Sequence, residues 1–151
     1  MASTADADAW PDRATPETFA RLEAAARRIV GSRARVIAEQ PDGIPVIRVL
    51  PHRQGARSVT LIADQWIVLE VESGGGGRWE LTYDESGISF AEKAIEAVAA
   101  GRIREWVGPG RSRVELTFDD GSVHVETGRR GIRGVLPGRL RSTDSEDLRR
   151  Y

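Results

Sequence analysis

The chain has 151 residues, of which 22 are basic and 23 acidic, so its net charge is −1. A chain of this length typically forms one domain and buries about two-thirds of its unfolded surface, so it needs neither a disulfide nor a metal to fold. It contains no cysteine, which excludes a disulfide framework, a thiolate zinc site, an iron–sulfur cluster and a cysteine nucleophile.

Residues 1–14 are predicted to form a polar, alanine-rich arm ahead of the folded domain. The beginning of the chain carries neither the basic region nor the apolar core of a signal peptide. No stretch of the sequence approaches the roughly 18 apolar residues that a membrane span requires. We therefore expect a soluble protein in the cytoplasm, with no membrane contact.

The first predicted helix begins at Thr15 and ends at Gly31. Thr15 can cap the helix, and Pro16 suits its first turn because proline lacks the amide hydrogen that would go unsatisfied there. Gly31 suits the left-handed conformation that often ends a helix. The apolar residues recur at spacings of three and four, and they form one stripe made of Phe19, Leu22, Ala26, Ile29 and Val30.

Between residues 34 and 83 the apolar residues alternate with polar ones, which predicts β-strands. Five strands are predicted, over residues 35–39, 46–50, 58–62, 66–72 and 78–83. The glycine run 74–77 connects the last two strands, and it is not a phosphate-binding loop because a strand rather than a helix follows it. Alternation places Trp66, Glu70 and Glu72 on the same face of the fourth strand.

The second helix is predicted from its terminal residues. Ser89 and Glu92 have the spacing of a capping box, in which each side chain binds the amide hydrogen of the other residue. Gly101 is placed to end the helix. The predicted buried face is rich in alanine and consists of Ala91, Ala94, Ile95 and Val98.

Three further strands are predicted, over residues 103–107, 113–119 and 122–128. Asp120-Gly121 between the last two strands predicts a two-residue type I′ turn, since both of its central residues need a positive φ. The resulting register places the apolar residues of both strands on one side. It places three polar residues together on the solvent side: Glu115, His124 and Glu126.

The elements together predict a single α+β domain over residues 15–128. We expect two helices packed on one face of a mainly antiparallel sheet of six to eight short strands, in the order helix, five strands, helix, three strands. Residues 129–151 form an arginine- and glycine-rich tail with seven arginines and three acids, a net charge of +4, which leaves −5 for residues 1–128. Because 21 of the 22 basic residues are arginine, the composition also indicates GC-rich bacterial coding.

Two groups of residues are candidates for binding a partner. Trp66 beside Glu70 and Glu72 would be an exposed aromatic anchor next to two carboxylates, which suits a protein partner, glycoside chemistry or cation binding. The simpler interpretation is an edge strand whose charges prevent aggregation. The second group lies in the tail and suits an acidic protein, the domain's own acidic face or a nucleic-acid backbone; it consists of Arg129, Arg130 and Arg133.

The predicted cluster of Glu115, His124 and Glu126 is an alternative acid–base or ligand site. The simpler interpretation is a solvated sheet face with polar cross-strand pairs. Neither His124 nor His52 has the spacing of a metal-ligand motif, and no serine lies in a nucleophile motif. We therefore predict no catalytic residue, no metal and no cofactor.

The predicted function is a non-catalytic protein-binding module of the adaptor, secretion-chaperone or toxin-immunity type, acting through the acidic face with Trp66 and the basic tail. Its partner would be another protein or a second copy of the chain. The alternative is a small-ligand binder or hydrolytic enzyme that uses the carboxylates and the histidine of the open sheet face. Weak nucleic-acid binding through the tail ranks third, because a near-neutral chain lacks the basic charge of a dedicated nucleic-acid binder.

Overall fold

The structure is a computed structural model that describes residues 16–72 and 77–129, so the predicted arm and the tail from residue 130 lie outside it. The α+β class is confirmed, with two helices and two antiparallel sheets. The elements are α1 (Pro16–Val30), β1 (Ala34–Glu39), β2 (Val46–Pro51), β3 (Val59–Ala63), β4 (Ile67–Val71), β5 (Gly77–Leu81), α2 (Glu85–Ala99), β6 (Ile103–Gly108), β7 (Arg111–Thr117) and β8 (Val123–Arg129). No helix in the described ranges is long and apolar enough to cross a membrane.

The eight strands form two sheets, where the sequence predicted a single one. Strands β1 to β5 form one antiparallel meander, and β6 to β8 form a second. Helix α2 lies between β5 and β6 in the chain, so it interrupts the succession of hairpins at that point. Cα atoms of β5 and β8 come within 8 Å of each other, but no ladder of described residues joins the two sheets.

One apolar core contains residues from both helices and both sheets. The stripe predicted for α1 is confirmed, because its central residues are buried and its flanking aromatic and isoleucine side chains pack against the core. The alanine-rich face predicted for α2 is confirmed as well, and its small side chains allow α1 and α2 to pack together. One face of the five-stranded sheet is buried in this core through alternating residues that include Val36, Ile47, Val49, Leu61, Leu69 and Trp79.

Helix α2 begins five residues earlier than the capping box predicts, so that prediction is wrong. Asp84 is the N-cap, and its carboxylate accepts a hydrogen bond of 2.9 Å from the amide of Gly87. Ser89 lies inside the helix, one turn beyond its start. Gly87 is required in this first turn, because a Cβ atom there would lie 1.9 Å from the carbonyl oxygen of Thr82.

The end of α2 at Gly101 is confirmed. Gly101 has a φ of +72°, the left-handed conformation that glycine adopts without strain. Its amide binds the carbonyl of Val98 at 3.0 Å, and the amide of Arg102 binds that of Ala97 at 2.7 Å. These two bonds form a Schellman motif, which satisfies carbonyl groups that the helix itself leaves free.

The register predicted for the β7–β8 hairpin is wrong by one residue. The amide of Phe118 binds the carbonyl of Ser122 at 2.9 Å, so the loop contains three residues, Asp119 to Gly121, instead of two. Gly121, with a φ of +82°, provides the left-handed residue that ends such a loop. The shift places His124 opposite Leu116 on the inner side of the sheet. The apolar residues of β8 that the predicted register places inside therefore point outward.

Candidate functional site

The turn between β3 and β4 exposes the side chain of Trp66, which is 41% accessible to solvent. Trp66 precedes β4, although the sequence predicted it as the first residue of that strand. The ladder between the two strands ends at the pair Ala63 and Ile67, and the amide of Asp64 then binds the carbonyl of Trp66 at 3.1 Å. Trp66 is therefore a turn residue at one end of the five-stranded sheet.

Tyr83, which follows β5, holds this turn. Its hydroxyl group donates a hydrogen bond to the carbonyl of Asp64 and lies 3.3 Å from the carbonyl oxygen of Trp66. Burial of the ring, together with the charge of Asp64, raises the pKa of Tyr83 to about 12. The hydroxyl group is therefore protonated at neutral pH and remains a donor to the turn.

The connection between β1 and β2 brings a second apolar side chain to the same end of the sheet. The amide of Ala63 binds the carbonyl of Pro45 at 2.9 Å, so this connection lies against the start of the β3–β4 turn. Ile44, the neighbour of Pro45, is 39% exposed. Two exposed apolar side chains therefore belong to adjoining connections.

Two aspartates belong to the same connections. Asp42 and Asp64 are both exposed, and neither forms an ion pair with another residue that the structure describes. Asp42 has a φ of +53°, a conformation that aspartate tolerates in tight turns. We call the group Ile44, Trp66, Asp42 and Asp64 the Trp66 end of the sheet; it combines apolar surface with two negative charges.

The structure does not gather Glu70 and Glu72 around Trp66. They lie four and six residues further along an extended chain, which corresponds to about 13 and 20 Å. Glu70 binds Arg78 at 3.1 Å, and Glu72 accepts a hydrogen bond of 2.7 Å from the hydroxyl of Ser58. The predicted trio is therefore spread over β4 and the residues that flank it, and the charge of Glu70 is neutralised by its neighbour.

The register also separates Glu115 from His124 and Glu126. Glu115 lies opposite Val125, whereas Glu126 lies opposite Val114 on the other side of the sheet. Successive residues of a strand point to opposite faces, so the carboxylate of Glu115 faces away from His124. The three residues were predicted to form one cluster, and the observed pairing does not assemble it.

His124 is packed among aromatic rings. Its ring centroid lies 4.3 Å from that of Phe118 and 4.9 Å from that of Phe90. Nε2 of His124 lies 3.2 Å from the hydroxyl oxygen of Ser122, which donates its own hydrogen to the carboxylate of Asp120 at 2.5 Å. In a nucleophilic triad the serine proton goes to histidine and the carboxylate orients the histidine. Here serine lies between the other two, which is the wrong order for that chemistry.

The remaining predicted groups contribute no assembled site within the described ranges. No group of three or more histidine, aspartate or glutamate side chains in those ranges is arranged to hold a metal ion. His52 lies in the loop after β2. The backbone of Arg129 ends β8 opposite Arg111. Arg130 and Arg133, also predicted as partner-binding residues, lie outside the described residues.

An ion pair with a buried carboxylate was not predicted from the sequence. Glu105 is only 4% exposed, and its carboxylate binds the guanidinium of Arg57 at 2.9 Å. A signal for it exists, because Ile103, Glu105 and Val107 alternate and so share the inner face of β6. Arg57 comes from the β2–β3 connection, so the pair links the five-stranded sheet to the three-stranded one.

Comparison of the chain with protein-family models, with curated proteins and with solved structures finds no match. The function must therefore be argued from the geometry of the described residues.

Proposed function

We propose that the chain is a non-catalytic protein-binding module whose Trp66 end binds a basic partner with apolar side chains. The observation that carries the proposal is the exposed indole of Trp66 in a turn that Tyr83 holds in place. Tryptophan is among the residues that most often dominate the energy of protein interfaces. A turn that is already ordered loses little conformational freedom on binding, which favours affinity.

The charges at the Trp66 end support a basic partner. Asp42 and Asp64 carry negative charge without an ion-pair partner among the described residues. Exposed charges at the rim of an interface steer an oppositely charged protein and select against like-charged ones. Ile44 and Trp66 would supply the apolar centre of the contact, and the two aspartates would supply its rim.

We extend the proposal to the kind of partner, its location and the role of the basic segment, as the sequence predicts them. The partner is another protein or a second copy of this chain, met in the cytoplasm in an adaptor, chaperone or immunity role. The basic segment 129–151 is a second contact for an acidic part of that partner. The enzyme or ligand-binding alternative receives less support, because the observed register turns Glu115 away from His124.

Affinity capture with three forms of the full chain tests this proposal. The forms are wild type, Trp66→Ala and the matched control Leu50→Ala, which alters an exposed apolar residue near the other end of the same sheet. Wild type and Leu50→Ala should retain the same basic protein from host extract, and Trp66→Ala should retain about tenfold less. Retention should fall when the salt concentration is raised from about 50 to 500 mM. Equal recovery by Trp66→Ala and wild type would contradict the proposal.

A further inference from the structure

The outer face of the three-stranded sheet is a second exposed surface, distinct from the Trp66 end. Along β7 the buried residues alternate with outward-facing ones, and the partners of the outward-facing residues on β6 and β8 share that face. We call this surface the Trp106 face; it includes Arg104, Trp106, Arg111, Arg113, Glu115, Thr117, Val123, Val125 and Thr127.

The Trp106 face has an apolar content that is unusual for a solvent-facing side of a sheet. Trp106 and Val125 are each 40% exposed, and Val123 is 51% exposed. On the inner side of the same sheet, by contrast, Glu105 and Ser112 are buried. Exposed apolar side chains on both flanking strands of an outer face, while polar residues are placed inside, are typical of a surface that another molecule covers.

The charges of the Trp106 face are mainly positive. Arg113 lies over the indole of Trp106, 5.3 Å from the ring centroid, and also binds Glu115 at 3.3 Å. Arg104 and Arg111 form no ion pair with another described residue. The Trp106 face therefore carries three arginines and one carboxylate, which is already paired, so its net charge is +2.

We infer that the Trp106 face is a docking site for an acidic protein segment that carries apolar side chains. Arg104 and Arg111 are available to carboxylates, and apolar side chains can contact Val123 and Val125 on β8 and the indole of Trp106 on β6. The three strands lie about 4.8 Å apart, and the outward-facing residues of each strand span five to seven positions. The face is therefore large enough for one extended segment. The occupant is therefore a peptide-like segment of negative charge.

A nucleic acid is also negatively charged, but it fits this face less well. Single strands bind proteins by stacking bases on aromatic rings. The Trp106 face has one aromatic ring, and the guanidinium of Arg113 already lies over it. Its remaining apolar surface comes from two valines, which cannot stack on a base but can contact aliphatic side chains.

This inference does not depend on the proposed function of the Trp66 end. The two surfaces belong to different sheets and have opposite charge, so they select partners of opposite charge. Variants of Trp106 and Trp66 should therefore have separate effects on binding, and the failure of one proposal leaves the other in place.

A random library of twelve-residue peptides displayed on phage, selected against the full chain, tests the inference. Wild type should enrich acidic peptides that contain aliphatic or aromatic residues, and synthetic copies of these peptides should bind in fluorescence anisotropy. Trp106→Ala and Arg104→Glu should each weaken their binding about tenfold. Arg35→Glu is the matched control, because it reverses an exposed arginine on the outer face of the other sheet and should leave the affinity unchanged.

Several outcomes would overturn the inference. Enriched peptides that are basic, or whose binding is the same in Trp106→Ala and wild type, contradict it. Binding of a single-stranded oligothymidine that Arg104→Glu abolishes, with no acidic peptide enriched, would assign the face to nucleic acid. Sedimentation of wild type as a dimer and of Trp106→Ala as a monomer, with no peptide enriched, would assign it to a second copy. Circular dichroism of each variant distinguishes a lost contact from a lost fold.

Discussion

The hydroxyl group of Tyr83 lies 3.3 Å from the carbonyl oxygen of Trp66, so a residue after β5 holds the turn before β4. The same hydroxyl donates a hydrogen bond to Asp64, on the other side of Gln65. A single, partly buried phenol thus fixes the backbone at two points of a turn whose most prominent side chain is exposed. This arrangement holds the backbone of the turn that carries the exposed indole.

We expect Tyr83→Phe to loosen the turn without unfolding the domain. Phenylalanine keeps the ring but cannot donate to the carbonyl groups of Asp64 and Trp66. Amide hydrogen exchange at Asp64, whose amide binds the carbonyl of Trp66, should accelerate about tenfold, while exchange in the core strand β4 should remain unchanged. Protection at Asp64 equal to that of wild type would show that the hydroxyl does not hold the turn.

The raised pKa of Tyr83 predicts a loss of stability in alkaline solution. A phenol that ionises near pH 10 in the unfolded chain ionises near pH 12 in the folded protein. The folded state therefore holds this proton more tightly, and the resulting stabilisation is complete below pH 10 and lost between pH 10 and 12. Urea unfolding at pH 9 and pH 11 should show this loss for wild type. Tyr83→Phe should show a smaller loss, and an identical loss would contradict the assignment.

The ion pair of Arg57 and Glu105 predicts an asymmetric response to substitution. Arg57→Met leaves a carboxylate buried without the guanidinium and should lower the free energy of unfolding by about 3 kcal/mol. Glu105→Leu leaves an arginine that is 30% exposed and can reach water, so it should cost less. The double variant should be more stable than Arg57→Met, because two apolar residues then replace the pair.

Urea denaturation of the four forms of this cycle measures the coupling between the two sites. If the costs of the two single substitutions simply add in the double variant, the pair contributes no coupling and the prediction is wrong. The variants Arg48→Met and Glu39→Leu alter an exposed ion pair of the five-stranded sheet and serve as the control. Their coupling should stay below about 1 kcal/mol.

The periodic parts of the fold follow from the sequence, because they depend on residues close together in the chain. The stripe from Leu22 to Val30 and the alanines of α2 have helical spacing, and Gly101 marks a helix end by its own conformation. The start of α2 does not follow in the same way. Gly87 looks like a helix breaker until its close approach to the carbonyl of Thr82 is known.

The candidate site is less predictable than the fold, because it depends on register and on contacts between distant residues. Asp119-Asp120-Gly121 fits a three-residue loop as well as Asp120-Gly121 fits a two-residue turn, and the choice reverses the faces of β8. The exposure of Val123 and Val125 follows from that choice. The contact of Tyr83 with the Trp66 turn requires knowledge of which strands are neighbours.

The lowered pKa of Asp84 predicts that the protein loses stability in acid. Hydrogen bonds from the amide of Gly87, and then from the hydroxyls of Ser86 and Thr82, lower the pKa of Asp84 from 3.8 to about 2. The folded state therefore favours the carboxylate, so the stabilisation is present above pH 4 and is lost as the pH falls to 2. Asp84→Ala should lower the midpoint of thermal unfolding at pH 7 by about 4 °C, because it removes the N-cap.

Asp84→Ser is the matched control for the acid prediction. Serine accepts the same backbone hydrogen bond but does not titrate, so its melting temperature at pH 7 should lie close to that of wild type. Between pH 4 and pH 2 it should lose less stability than wild type. Parallel acid melting curves for wild type and Asp84→Ser would contradict the assigned role of the carboxylate.

The outward position of Val125 predicts that a polar substitution there is tolerated. Val125→Ser should change the free energy of unfolding by less than about 1 kcal/mol, because the side chain already faces water on the Trp106 face. Leu116→Ala, at a fully buried position of the neighbouring strand, should cost about 3 kcal/mol. In the two-residue-turn register Val125 would lie opposite Leu116 inside the core, and its substitution would then be nearly as costly. Urea unfolding of the two variants therefore decides the register, and binding of the enriched acidic peptides to Val125→Ser should weaken even though its stability is retained.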